Sequence, residues 1–265
     1  MNQKKFRPSN SERFLNCNLS IWLPEDEKTK EQEAYLDERS KDHERLARGE
    51  FLKHEVNCKA YYDYILEKCD EIFVEEPLSS FISGEVFEGT PDLFGYDIKT
   101  KTLYIIDYKT GFYPVSAFGN SQLLSYAALI LLIYLHLDID NFKLSILNTQ
   151  KDQLSHFEPE KETILKHIAR LNQSLRFRRE GTAYAVTGEW CRFCPSKNYC
   201  PLQRDIKETK ELMDIHTDEL IYAKEMRASE VKKRTRELRE NEDASKVFEY
   251  RIVGPQKKLK VLKNE

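Results

Sequence analysis

The run Tyr126–Leu135, YAALILLIYL, is apolar on every side. A helix without a polar face has to be covered all round, by lipid or by protein. This run falls well short of the roughly 20 apolar residues that a membrane-spanning helix needs, and polar residues bound it. It is therefore expected as a buried core helix, Ser121–Leu137, opened by Gly119-Asn120. The rest of the chain must then supply the elements that enclose it. With 265 residues, 40% of them hydrophobic, and 14 Phe and 14 Tyr, there is material for one large domain or a domain with an appendage. Wholesale disorder is excluded on the same grounds.

The segments around that helix read as an α/β core with helical additions. Residues 9–24 form a short helix that sets Cys17 among apolar neighbours. Residues 25–72 are charged and helical in composition. From about Ile72 the pattern turns strand-like: IFVEEPL, then GEVFEGTPDLFGYD, then KTLYIIDYKTG, with turn residues between, as in an antiparallel meander. Phe142–Leu147 is a further strand and Glu158–Arg178 an amphipathic helix. Ala183–Pro201 is a short cysteine-bearing segment, and Lys207–Asn241 a long charged helix. Val247–Lys263 alternates as a hairpin. The net charge of −3 conceals an asymmetry, because the residues from Arg227 onward carry 12 Lys+Arg against 7 Asp+Glu. A basic tail on an acidic body suits contact with a polyanion, or a solvated helix face.

Two aspartates stand in places that a purely structural reading leaves unexplained. Asp107 and Lys109 end the apolar run Leu103–Ile106, and being two apart on a strand they share a face. Asp92 follows a Gly-Thr-Pro turn, and the polar turn Asp97–Lys101 would fold its strand back onto the first as a hairpin. Paired carboxylates are hard oxygen ligands for a divalent cation, and a neighbouring lysine can position a nucleophile or offset charge on a phosphate. Gln122 and Tyr126, four apart on the apolar helix, also share a face.

The amino-terminal MNQKKFRPSNSERF has no apolar run behind its basic residues, so no secretory signal is expected and a cytoplasmic location follows. In that compartment six cysteines point to metal ligands or free thiols. Three of them lie close together in WCRFCPSKNYCP, as Cys191, Cys194 and Cys200, which suits zinc or an iron–sulfur cluster. Cys17, Cys58 and Cys69 are the candidates for a fourth ligand, and spacing alone does not choose between them.

GTPD, the strand ending in IIDYKTG, and NSQLLSY, in that order, resemble the PD-(D/E)xK nucleases, specifically the RecB-like branch with its G-x-x-D, D-x-K and Q-x-x-x-Y motifs. Pro91-Asp92 and Asp107-Tyr108-Lys109 carry the likeness, which runs from about Ser9 to Asp205. The branch also places a metal-site histidine on an upstream helix, within Gly-Thr-x-x-His. Here RSKDHERL sets Ser40 three residues before His43 but lacks the glycine. RGEFLKHEV has Gly49, yet the interval to His54 is one residue too long. His43 is preferred and His54 is the alternative.

The resemblance implies a restriction-endonuclease-like core: a central mixed sheet flanked by helices, with helical insertions. It also implies an iron–sulfur staple like that of the AddB nuclease domain, the CRISPR adaptation exonucleases and a phage-borne RecB-like group. In those relatives one cysteine precedes the core and three follow it. By that pattern Cys17, Cys191, Cys194 and Cys200 hold a structural [4Fe–4S] cluster, while Cys58 and Cys69 are ordinary buried thiols. The nuclease domain spans 1–206, and 207–265 is a charged helix with a basic hairpin. Asp92, Asp107, His43 and the Tyr108 carbonyl are the implied ligands of Mg²⁺ or Mn²⁺. Lys109 orients water, and Gln122 and Tyr126 steady the strand and the lysine. The implied activity is a metal-dependent DNA exonuclease acting on single-stranded ends and leaving a 5′-phosphate, in recombination, repair or phage DNA processing. The alternative is a non-catalytic DNA-binding or recombination-partner protein on the same fold.

Overall fold

The computed structural model describes residues 6–21, 23–111, 114–192, 194–202, 248–253 and 256–261. They divide into two compact units, Met1–Val186 with Phe193–Ser196, and Thr187–Arg192 with Lys197–Glu265.

In the first unit the helices are α1 (Ser11–Asn16), α2 (Lys30–Ala47), α3 (Val56–Lys68), α4 (Ser121–Ile133) and α5 (Lys161–Arg179). The strands are β1 (Glu71–Val74), β2 (Leu78–Ile82), β3 (Glu85–Gly89), β4 (Leu93–Asp97), β5 (Thr102–Lys109), β6 (Asn141–Asn148) and β7 (Gln153–Phe157). Five strands make the central sheet in the order β1-β4-β5-β6-β7. All its neighbours run antiparallel except β5 and β6, which are parallel. A parallel neighbour needs a crossover, and α4 provides it. This is a mixed α/β sheet flanked by helices, consistent with the restriction-endonuclease-like core expected from the sequence.

Strand β5 is buried along both faces, and its alternation assigns its side chains to two cores. Leu103 and Ile105 join the cluster around α4, with Leu123, Ala127 and Ile130. Tyr104, Ile106 and Tyr108 join the cluster beneath α3, with Cys58, Tyr62 and Ile65. Helix α4 buries nine of its 13 residues, which is why its sequence carries no polar face. Its start is fixed by Asn120, whose side-chain oxygen accepts from the amides of Gln122 at 3.0 Å and Leu123 at 3.1 Å.

The structure corrects the meander. GEVFEGTPDLFGYD is two strands in different sheets: β3 pairs with β2 in a separate hairpin, and β4 lies between β1 and β5. The break falls at Gly-Thr-Pro, where proline cannot donate to a ladder. Helix α4 ends at Ile133, not Leu137. Tyr134 leaves the helical region at φ −95°, ψ 60°, and the chain turns so that Asp140 and Asn141 donate to the Lys101 carbonyl. Strand β7 has no counterpart in the sequence reading. QLSHF has no buried face, and its pairing is decided by the turn from β6 at Asp152, φ 49°.

The second unit has short 3-10 turns at Glu189–Cys191 and Lys197–Tyr199 and an antiparallel hairpin of β8 (Phe248–Val253) and β9 (Gln256–Val261). The hairpin lies within the span expected from its alternation. The charged helix expected at Lys207–Asn241 lies outside the described residues.

Candidate active site

Antiparallel register pairs Leu93 with Ile106, so the next residues outward, Asp92 and Asp107, come side by side where β4 and β5 meet. Asp92 is anchored through its main chain, because Glu75, in the left-handed region at φ 47°, donates its amide to the Asp92 carbonyl at 3.1 Å. Its carboxylate is shared: Oδ2 accepts from the Tyr108 amide at 2.6 Å, and Oδ1 lies 3.1 Å from His43 Nδ1. That contact to Asp92 raises the affinity of His43 for a proton, outweighing its partial burial. His43 also meets the buried Tyr108 ring edge-on.

Asp107 is buried, and on the α4 side of the sheet. Its Oδ1 accepts from Gln122 Nε2 at 2.6 Å, and Lys109 Nζ approaches Oδ2 at 2.7 Å. The lysine's approach is close but not aligned as a hydrogen bond, so Oδ2 is paired by charge alone. Gln122 closes the triangle, its Oε1 accepting from Lys109 Nζ at 3.0 Å. Burial holds the Asp107 carboxyl above the usual carboxylate range, against the opposing pull of Lys109. One turn further along α4, Tyr126 is buried and donates its hydroxyl to the Thr90 carbonyl at 2.9 Å. Gly89 makes room for that ring, since a Cβ there would stand 3.1 Å from it and 2.6 Å from Pro8.

The fold thus brings two hydrogen-bonded groups side by side, His43 with Asp92 and Asp107 with Gln122 and Lys109, with Tyr126 next to them. His54 is exposed in the α2–α3 connection and outside the cluster. Sequence reasoning missed Arg39, whose Nε donates to Thr110 Oγ1 at 3.1 Å just beyond Lys109. Its signal was the spacing Tyr35, Arg39, His43, which puts all three on one face of α2.

The cysteines are placed differently. Cys17 is buried at the end of α1, and its Sγ accepts from the Val186 amide at 3.5 Å. Near it, Leu19 donates to the Tyr184 carbonyl at 3.2 Å and Asp26 to the Pro195 carbonyl at 2.5 Å. Ser196 is buried, with its hydroxyl 3.5 Å from the carbonyls of Ser20 and Leu23. Cys194 belongs to the same unit as Cys17, and Cys191 and Cys200 to the other. Cys58 is buried as expected, whereas Cys69 is half-buried, and burial pushes both thiols up to about 12. Among the described residues, no three His, Cys, Asp or Glu side chains stand together as a formed metal site. No helix among the described residues is long and apolar enough to cross a membrane.

Residues 25–246 match the family described as "Protein of unknown function (DUF2800)". The chain belongs to the DUF2800 family. No curated protein matches it. Among solved structures, this DUF2800 member overlaps the crystal structure of SSO0001 at 12% identity and a TM-score of 0.39, over 76% of this chain and 88% of that one. It also overlaps a protein of Eubacterium rectale provisionally named an exonuclease, at 12% identity and a TM-score of 0.41, over 77% and 88%. Overlap at this level carries no functional weight by itself.

Proposed function

We propose that this DUF2800 member is a metal-dependent deoxyribonuclease of the RecB-like PD-(D/E)xK type, working from single-stranded DNA ends in the cytoplasm. The observation that carries the reading is the convergence of Asp92, Asp107, Lys109 and Gln122 at one corner of the sheet, on residues that also match the motifs in order.

The donor types suit a hard divalent cation. Asp92, Asp107, His43 and the Tyr108 carbonyl would hold Mg²⁺ or Mn²⁺. Once bound, such a cation supplies positive charge to the phosphate and makes water a better nucleophile. Asp107 supports this fit, because a buried acid that burial makes reluctant to ionise is one that a cation stabilises in its charged form. Lys109, held by Gln122, would orient the attacking water and offset charge on the phosphate oxygens. Gln122 keeps the lysine at its post, and Tyr126, anchored on Thr90, would steady the strand. Water adds to phosphorus in line, the bond to O3′ breaks, and a 5′-phosphate and a 3′-hydroxyl remain.

For the cysteines, four thiolates suit a [4Fe–4S] cluster, with Cys17, Cys191, Cys194 and Cys200 as ligands and a structural role. The Val186 amide donates to Cys17 Sγ, the kind of outer hydrogen bond that orients a metal ligand. The cellular setting that goes with this reading is recombination, repair or phage DNA processing, with proteins of those pathways as partners.

The test is cleavage of 5′- and 3′-labelled single- and double-stranded DNA with Mg²⁺ or Mn²⁺, run beside Lys109→Ala. The expected result is metal-dependent degradation that falls by about a hundredfold or more in the variant. Equal degradation by both proteins, or none by the wild type, would overturn the reading.

A further inference from the structure

Helix α2 is mostly exposed: its one buried residue is Leu46, in its last turn. One stripe of its contacts follows β5 outward from the candidate site. His43 meets Asp92, Arg39 meets Thr110, and the Tyr35 hydroxyl stands over Gly111, 3.7 Å from where a Cβ would lie. Each step along α2 is about one helical turn, or about 5.4 Å.

Arg39 is unusual within this stripe. Its Nε is committed to Thr110, a buried residue, and its guanidinium carbon lies 5.6 Å from the centre of the Tyr35 ring. The group is thus fixed at its stem and supported on one face. No carboxylate pairs with it among the described residues, although α2 is rich in acids. The one acid three or four positions from it is Asp42, which lies 3.6 Å from Arg45. An arginine oriented by a neutral partner, with its terminal amines uncommitted among the described residues, presents the fork that phosphate oxygens fit. Tyr35 is 51% exposed beside it and offers a face on which a base can stack.

We infer that Arg39 and Tyr35 form a phosphate-and-base subsite for the nucleic-acid strand, one turn of α2 away from the reacting centre. It rests on the nuclease reading and names how that site would hold its substrate. The phosphate is either internal to the strand or the terminal one, and the same guanidinium fork serves both. Thr110 acts as a positioning residue, aiming the guanidinium from the residue that follows Lys109.

The test is equilibrium binding of a fluorescent single-stranded oligonucleotide in EDTA, across a salt series, to wild type, Arg39→Gln, Tyr35→Ala and Thr110→Val. Binding is read with and without a 5′-phosphate, and thermal melts check each fold. Arg39→Gln should weaken binding about tenfold and lower the slope of log K against log salt by about 0.7, the single-strand value for one lost phosphate contact. Tyr35→Ala should weaken binding with the slope unchanged, and Thr110→Val should have the smaller effect of a misaimed arginine. A loss confined to the 5′-phosphorylated strand would assign the terminal phosphate, and an equal loss on both would assign an internal one. Unchanged slope and affinity in a folded Arg39→Gln protein, while wild type binds and cleaves, would overturn this subsite alone. Absence of binding by a wild type that still cleaves with Mg²⁺ would overturn the subsite alone, and absence of both binding and cleavage would overturn it together with the nuclease reading.

Discussion

The acid–lysine cluster and the cysteine set are held in opposite ways. In the cluster, every carboxylate oxygen already has a protein partner: His43 and the Tyr108 amide at Asp92, Gln122 and Lys109 at Asp107. Strand register and two helices, α2 and α4, place these groups. The four cysteines sit instead on a helix end, 3-10 turns and loops, and are divided between two compact units. The lesson concerns cost. On the proposed reading, a metal at the first site would add chemistry to geometry that the sheet has fixed, whereas a metal at the second would be part of what makes the structure.

The largest expected effect sharpens that contrast. Cys194→Ser should strip the protein of iron and brown colour and lower its stability by several kcal/mol, on the way to the roughly 10 kcal/mol seen for metal-coupled folding. Iron and sulfide analysis with thermal melts would show it. A colourless wild type binding zinc one-to-one would replace the cluster with zinc, and an unchanged variant would remove metal from the account of these cysteines.

A smaller effect tests the cluster side, where α4 must stay packed to hold Gln122. His167 on α5 is buried, 2.8 Å from Ser125 of α4, and burial pushes its pKa down to about 4. The unfolded chain therefore binds this proton more readily than the folded one between about pH 6.5 and pH 4. Its contribution is complete above that window and is lost as pH falls through it, by about 2–3 kcal/mol. Melts of wild type and His167→Gln at pH 7.5 and 5 should converge at the lower pH. A constant difference between them would contradict the assignment.

The smallest effect is local. Asn120→Ala removes the cap that sets the start of α4 and should cost about 1 kcal/mol of stability. Because Gln122 lies in the first turn of that helix, cleavage should fall more than stability alone explains. Equal losses in both would place Gln122 outside the reaction.

Much of the candidate site could be read from the sequence because strand and helix periods are local. Two residues along β5 put Asp107 and Lys109 on one face, four along α4 put Gln122 and Tyr126 on another, and the polar turn at Asp97–Lys101 folded Asp92 back beside them. What sequence could not show depended on partners distant in the chain. The parallel pairing of β5 with β6 and the pairing of β1 with β4 are decided by tertiary contacts. Arg39 is the clearest case, since its anchor at Nε, Thr110, lies 71 residues away in the chain. Among the cysteines, the motif named four candidates, but no local period says where their segments lie.

The most direct test of the central claim is a Mn²⁺ titration followed by electron paramagnetic resonance, on wild type and Asp107→Asn. That substitution keeps the size of the side chain and removes its charge. The account predicts saturable Mn²⁺ uptake by the wild type that is lost in the folded variant together with cleavage. Identical uptake by the two proteins would show that the acid pair does not hold the metal, and the site would have to be sought elsewhere.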